Sequence, residues 1–102
     1  MAGKQVLLKT FNVRKGEVMI VVCDCDLLGK KFKEGRLVLD VCDDFYGGKR
    51  VTLETAIDTL RVATLANLVG DDVIRCGIEA GIIHEESVLR VGGIPHAQFV
   101  LI

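Results

Sequence analysis

Leu53-Glu54-Thr55-Ala56-Ile57-Asp58-Thr59-Leu60-Arg61-Val62-Ala63-Thr64-Leu65-Ala66-Asn67-Leu68-Val69 is the stretch on which the fold turns. Thr52 before it has the hydroxyl of an N-cap, Glu54 complements the positive end of a helix, and Leu53, Ala56, Ile57 and Leu60 recur on one helical face. Past Arg61 the residues are apolar or small nearly all round. Read as one helix from Leu53 to about Val69, the segment has a second half with no wet side. It must be covered on more than one side, by the sheet plus a second helix or by another subunit. Thr64 and Asn67 are then polar groups in a dry place that need partners, and Asn67 is expected to cap or bridge inside the core.

Working outward, Gly70 closes this helix and Asp71 caps the next, from Asp72 to about Ala80, which stops at Gly81 with Ile82 packing back on it. Upstream, Gln5 to Phe11 and Glu17 to Cys23 are strand-like and are joined by Asn12 to Gly16, which has turn chemistry, so they predict an antiparallel hairpin. The second of these strands is apolar on both sides of the pleat and belongs in the middle of a sheet. Asp24 and Asp26 lead into Leu27-Leu28-Gly29, where a carboxylate can cap one short helical turn. Leu37 to Cys42 is a third strand and Asp43 to Arg50 a loop. Val88 to Val91 and Ala97 to Ile102 are closing strands, joined by a turn containing Gly92-Gly93-Ile94-Pro95-His96. The pattern is α+β: a mainly antiparallel sheet with two helices, in one domain over residues 1–102.

Half of the 102 residues are apolar, enough for one hydrophobic core without metal or disulfide. No apolar run is long enough to span a bilayer and no secretory pattern opens the chain, so a cytoplasmic protein with no membrane partner is expected. The net charge of −1 argues against strong overall attraction to nucleic acid or membrane, but Lys and Arg crowd the first half and Asp and Glu the second. Cys23, Cys25, Cys42 and Cys76 read as thiols. The Cys-Asp-Cys spacing does not suit a zinc knuckle, and Cys23 and Cys25, two apart on a strand, are expected to point inward together. No metal or cofactor is expected.

Three groups of residues could carry function. Lys30, Lys31, Lys33 and Arg36 surround Phe32, a pattern that could track phosphates while the aromatic ring stacks on a base, or that could simply form a solvated loop or edge strand. Phe45-Tyr46-Gly47-Gly48 sets two aromatics beside flexible backbone. Gly92 to Gln98 combines a glycine pair, the sole proline and His96, whose charge is easily tuned near neutral pH.

Val22-Cys23-Asp24, Leu27-Leu28-Gly29-Lys30, Phe45-Tyr46-Gly47-Gly48, Ala63-Thr64-Leu65-Ala66-Asn67-Leu68-Val69-Gly70 and Gly92-Gly93-Ile94-Pro95-His96-Ala97-Gln98 occur in that order, and together they resemble the archaeal family catalogued as domain of unknown function (DUF) 424. The resemblance implies a two-layer α/β sandwich in an archaeal cytoplasm and brings no reaction, substrate or cofactor with it. Cys25 and Cys42 depart from it, standing where an acidic residue and a serine are expected.

The favoured expectation is a non-catalytic module linked to translation, binding RNA, a ribonucleoprotein or a protein. Its contact surface would comprise Tyr46, Gly47, Gly48, Gly93, His96 and Gln98, with phosphate contacts from Lys30, Lys31, Lys33 and Arg36. This requires the two glycine loops to meet. The alternatives are a small enzyme in which His96 acts as acid or base with Tyr46, Asp43 or Asp44 in reach, and a purely structural domain that buries its apolar helix end in a homodimer. No nucleophile elbow, phosphate-cradling loop or dinucleotide fingerprint is present.

Overall fold

In the computed structural model, which describes residues 3–102, the hairpin forms as expected from β1 (Gln5–Arg14) and β2 (Glu17–Asp24), paired antiparallel from Val6↔Asp24 to Arg14↔Glu17. With no water-compatible face, β2 lies inside a six-stranded sheet. The order is β5-β1-β2-β6-β8-β7, in which β5 is Lys49–Thr52, β6 is Leu65–Val69, β7 is Leu89–Val91 and β8 is Ile94–Val100. Only β2 and β6 run parallel; every other pair in the sheet is antiparallel. The chain is thus α+β with a mixed, mostly antiparallel sheet.

The single long helix does not form. Helix α2 covers Leu53–Arg61 and ends through Val62 and Ala63, whose N–H groups reach back to the carbonyls of Thr59 and Leu60. The apolar remainder becomes β6, held between β2 and β8. An apolar run buried on all sides looks the same whether it is a covered helix or a central strand, because periodicity cannot separate the two. What separates them here is length: five residues fit the sheet, and Val62, Thr64 and Asn67 are poor helix formers. The start of α2 is as expected, with the Thr52 hydroxyl accepting from the Thr55 N–H at 3.1 Å.

Alternation along β6 divides the interior in two. Ala66 and Leu68 join Val6, Ile20, Val22, Ala56, Leu60, Val73, Ile74 and Ala97 beneath α2 and helix α3 (Asp71–Glu79). Val69 faces the other way, with Leu7, Val21, Cys23, Leu39, Val41, Tyr46 and Val91. That second side is covered by two elements. One is helix α1 (Asp43–Tyr46), a single turn where a loop was expected and the third helix among the described residues. The other is a separate ribbon in which β4 (Leu37–Asp40), the expected third strand in shorter form, pairs with β3 (Lys31–Glu34) instead of joining the main sheet.

Asp24 does not cap the turn that follows it. The 3₁₀ turn Cys25–Leu27 has no side-chain cap, and the Asp24 carboxylate accepts instead from the backbone N–H groups of Val73 at 3.0 Å and Asp72 at 3.3 Å. It thereby caps α3 in place of the expected Asp71. Burial pushes this carboxyl above the usual range, opposed by those two hydrogen bonds. At the other end of α3 the Ile82 N–H returns to the Gly77 carbonyl at 3.1 Å, as anticipated.

Candidate functional site

The β7–β8 turn consists of Gly92 and Gly93 alone, with φ of 58° and 83°, the pair of left-handed residues a tight hairpin with right-handed strand twist requires. Ile94, Pro95 and His96 therefore belong to a strand rather than a turn, and His96 is fixed on one sheet face. Across the ladder Val69 stands opposite His96, and Asn67 opposite Gln98 on one side and Val21 on the other. The His96 ring crosses diagonally to Asn67, with Nε2 3.3 Å from Oδ1. From above, α1 lowers Tyr46 onto the same atom, its hydroxyl donating to Asn67 Oδ1 at 2.7 Å.

A carboxamide oxygen only accepts, so it accepts a hydrogen bond from each neighbour, which is met by the imidazole tautomer with the hydrogen on Nε2 and Nδ1 left as an acceptor. Burial holds His96 below its ordinary pKa of 6.5, so the ring is neutral at pH 7. Burial also pushes the Tyr46 phenol up to about 12, with the thiols of Cys23 and Cys42 adding to the shift. Neither group is poised as a base against the other. Among the described residues, neither the Asp43 nor the Asp44 carboxylate hydrogen-bonds to His96. What this cluster does well is hold position: segments around residues 46 and 96, distant in sequence, are locked through Asn67.

The expected contact residues separate accordingly. Tyr46 is 4% exposed and is part of the interior, while His96 is half-buried and Gln98 exposed. Gly48 is pressed against β1 so closely that a Cβ there would fall on the Leu8 carbonyl, and a Cβ at Gly47 would fall on Asp43. Gly93 is at the opposite end of the strand order, in the hairpin whose Gly92 N–H donates to Glu34 Oε1 at 2.9 Å. With β2 and β6 between β1 and β8, the two glycine loops are separated by about 14 Å of sheet and do not meet.

The basic stretch forms the ribbon. Lys31 and Lys33 stand opposite Asp40 and Val38 on its outer face, and Lys31 Nζ is 3.9 Å from Asp40. Lys30 and Arg36 are exposed at its ends. Phe32 faces inward, packed against the core beneath the ribbon, so it cannot stack on a base. The edge-strand reading of this segment is the one realised. Cys23 is buried with its thiol pushed up to about 12, mainly by burial, and Cys76 likewise up to about 11. Cys25 leaves the strand for the 3₁₀ turn and is only half-buried, its Sγ donating to the Gln5 carbonyl at 3.4 Å. Cys42 is exposed ahead of α1. No group of three or more His, Cys, Asp or Glu side chains that could hold a metal gathers among the described residues, and no helix there is long and apolar enough to cross a membrane.

Asn67 was expected to bridge within the core, but its role as the centre of this cluster follows only once residues 65–69 are a strand. The signal in the sequence is one carboxamide inside an apolar run of strand length. No curated protein matches the chain. A crystal structure of an uncharacterized conserved protein from Methanopyrus kandleri superposes with a TM-score of 0.81 at 28% identity, covering 93% of this chain and 90% of that one. A family model described as "Protein of unknown function (DUF424)" matches residues 11–102, which take in Tyr46, Asn67, His96 and the ribbon, and the chain therefore belongs to the DUF424 family.

Proposed function

We propose that the protein is a non-catalytic module that binds RNA, of the kind translation supplies, through the sheet face bearing His96 and Gln98 and the adjoining ribbon. Taken as an α/β sandwich with α2 and α3 as its helical layer, the domain leaves part of the opposite sheet face open beside α1. The observation that carries the reading is the separation of charge. On one side of the sheet α2 and α3 expose Glu54, Asp58, Asp71 and Glu79 against Arg61 and Arg75, with Asp58 paired to Arg61 and Asp71 to Arg90, and the helices keep an acidic excess. In the ribbon on the other, the side of His96 and Gln98, Lys30, Lys31, Lys33 and Arg36 outnumber Glu34 and Asp40. A polyanion approaching this molecule is repelled from the helices and drawn to the ribbon, despite a net charge of −1.

The imidazole Nδ1 and the Gln98 amide then supply hydrogen bonds to base edges, and the lysines supply phosphate contacts. Fluorescence anisotropy with a ten-nucleotide oligouridine tests this over a salt series. Binding should weaken steeply with salt, Lys33→Glu should flatten that slope by about one phosphate contact, and His96→Ala or Gln98→Ala should weaken binding without changing the slope. Affinity indifferent to salt, or unmoved by all three changes, would sink the proposal. Crosslinking in cell extract that captures only protein through His96 would replace RNA with a protein partner.

A further inference from the structure

Strand β1 is longer than its outer neighbour. The β5 partner covers Gln5 to Leu8, where Leu8 meets Lys49, whereas β1 continues through Arg14 with β2 alone beside it. Among the described residues no backbone or side-chain group outside β2 hydrogen-bonds to the main chain from Lys9 to Arg14. The edge is regular up to Asn12, beyond which the register shifts. Where β5 leaves off, an open cleft of about 540 Å³ is lined by Leu8, Lys9, Thr10, Gly48, Lys49 and Val51. A strand entering there would prolong the line of β5.

We propose that the free edge of β1 from Lys9 to Asn12 takes up an acidic extended peptide as an added strand, antiparallel to β1. The open ladder supplies hydrogen bonds of a kind only another polypeptide can continue, since a nucleic acid has no alternating N–H and C=O groups to offer. The charges choose which polypeptide. Lys9 and Lys49 flank the cleft and Arg14 and Lys15 lie beyond it. Of the acidic groups of this region, Glu17 pairs with Arg14 at 3.2 Å, while Lys9 Nζ donates to the main-chain carbonyl of Asp44 at 2.6 Å and leaves the exposed Asp43 and Asp44 carboxylates on α1, outside the cleft lining. A second copy of the same edge would set these lysines against one another, the device by which edge strands avoid self-pairing. An acidic strand meets complementary charge instead.

Cross-strand pairing also sets the spacing of the partner. Lys9 and Phe11 share the ribbon-side face, and Phe11 stacks on Phe45 with ring centroids 5.4 Å apart, forming an apolar shelf. An acidic residue opposite Lys9 and an apolar one two positions away, opposite Phe11, make both pairs. The probe is the capped peptide Thr-Asp-Thr-Phe-Thr-Glu, with a control in which Lys replaces both acidic residues. Hydrogen exchange read by NMR should slow at edge-facing amides of residues 9 to 12 with the acidic peptide and not with the control. Lys9→Glu should weaken binding at least tenfold and shift preference to the Lys control. If that variant does not fold, Lys49→Glu at the cleft rim should reverse preference in the same direction. Unchanged exchange at residues 9 to 12 with the acidic peptide overturns the proposal. So does protection of the same amides by oligouridine alone, or by raising the protein concentration, which would assign the edge to RNA or to a second copy. Because His96 and Gln98 are not part of this edge, loss of RNA binding in their variants leaves this result standing.

Discussion

The two sides of the sheet are built from the same strands and differ in what they bury. Under α2 and α3 the strands contribute Ile20, Val22, Ala66, Leu68 and Ala97, and the interior is aliphatic apart from Cys76 and Phe99. On the ribbon side, one residue along each strand, the interior holds Cys23, Tyr46 and Asn67 beside Val21 and Val69, and its margin is open at His96 and Gln98. One side is dedicated to stability. The other gives up apolar packing for a polar cluster that fixes the orientation of a surface histidine. A buried carboxamide has a cost unless its bonds are made, so its presence marks the side where something besides stability is kept.

The contrast can be broken most severely from the aliphatic side. Leu68→Ala deletes a fully buried side chain beneath both helices and should cost about 2–5 kcal/mol, read as a fall in the urea midpoint without loss of strand order in the surviving native state. On the polar side, Asn67→Ala leaves the Tyr46 hydroxyl and His96 Nε2 without their shared acceptor and should cost about 1–3 kcal/mol. Tyr46→Phe removes one donor and leaves the acceptor bonded to His96, so its cost should be less, about 0.5–1.5 kcal/mol. Equal losses for these two substitutions would mean that the cluster works as packing and not through hydrogen bonds.

The smallest effect is a dependence on pH. Burial holds folded His96 below 6.5, so as the pH falls past 6.5 the unfolded chain takes up this proton first. The stability His96 contributes is whole above pH 6.5 and is lost as the pH falls through the folded value. In urea titrations at successive pH values, His96→Gln should remove this part of the acid decline. An unaltered decline in the variant would show that the imidazole is as free in the fold as outside it.

Much of this division was readable in the residues. The double-sided apolar character of Val18 to Cys23 is enough to put β2 in the centre of a sheet, and Thr52, Gly81 and Ile82 mark helix ends through local chemistry that survives any tertiary context. Residues 62–69 resisted because their identity depends on neighbours: being buried on every side carries no periodicity, and the competition between helix and strand is settled by the empty position between β2 and β8. The ribbon side was the harder half for the same reason. His96 and Tyr46 could be singled out by type, but their connection runs through Asn67, and that residue faces them only when its segment is extended. Asp24 is a similar case, a carboxylate whose nearest helix in sequence is not the one it serves.

That last arrangement has a bearing on how the molecule assembles. The anion that satisfies the start of α3 is supplied from 48 and 49 residues upstream, at the end of β2. The helix thus has no complete N-terminal cap until β2 and β6 have been brought side by side, which ties about 1 kcal/mol of its stability to a long-range contact. A piece of chain starting after β2 would carry every residue of α3 and still lack the group that begins it. Severing the polypeptide in the ribbon would therefore be felt at a helix on the far side of the sheet.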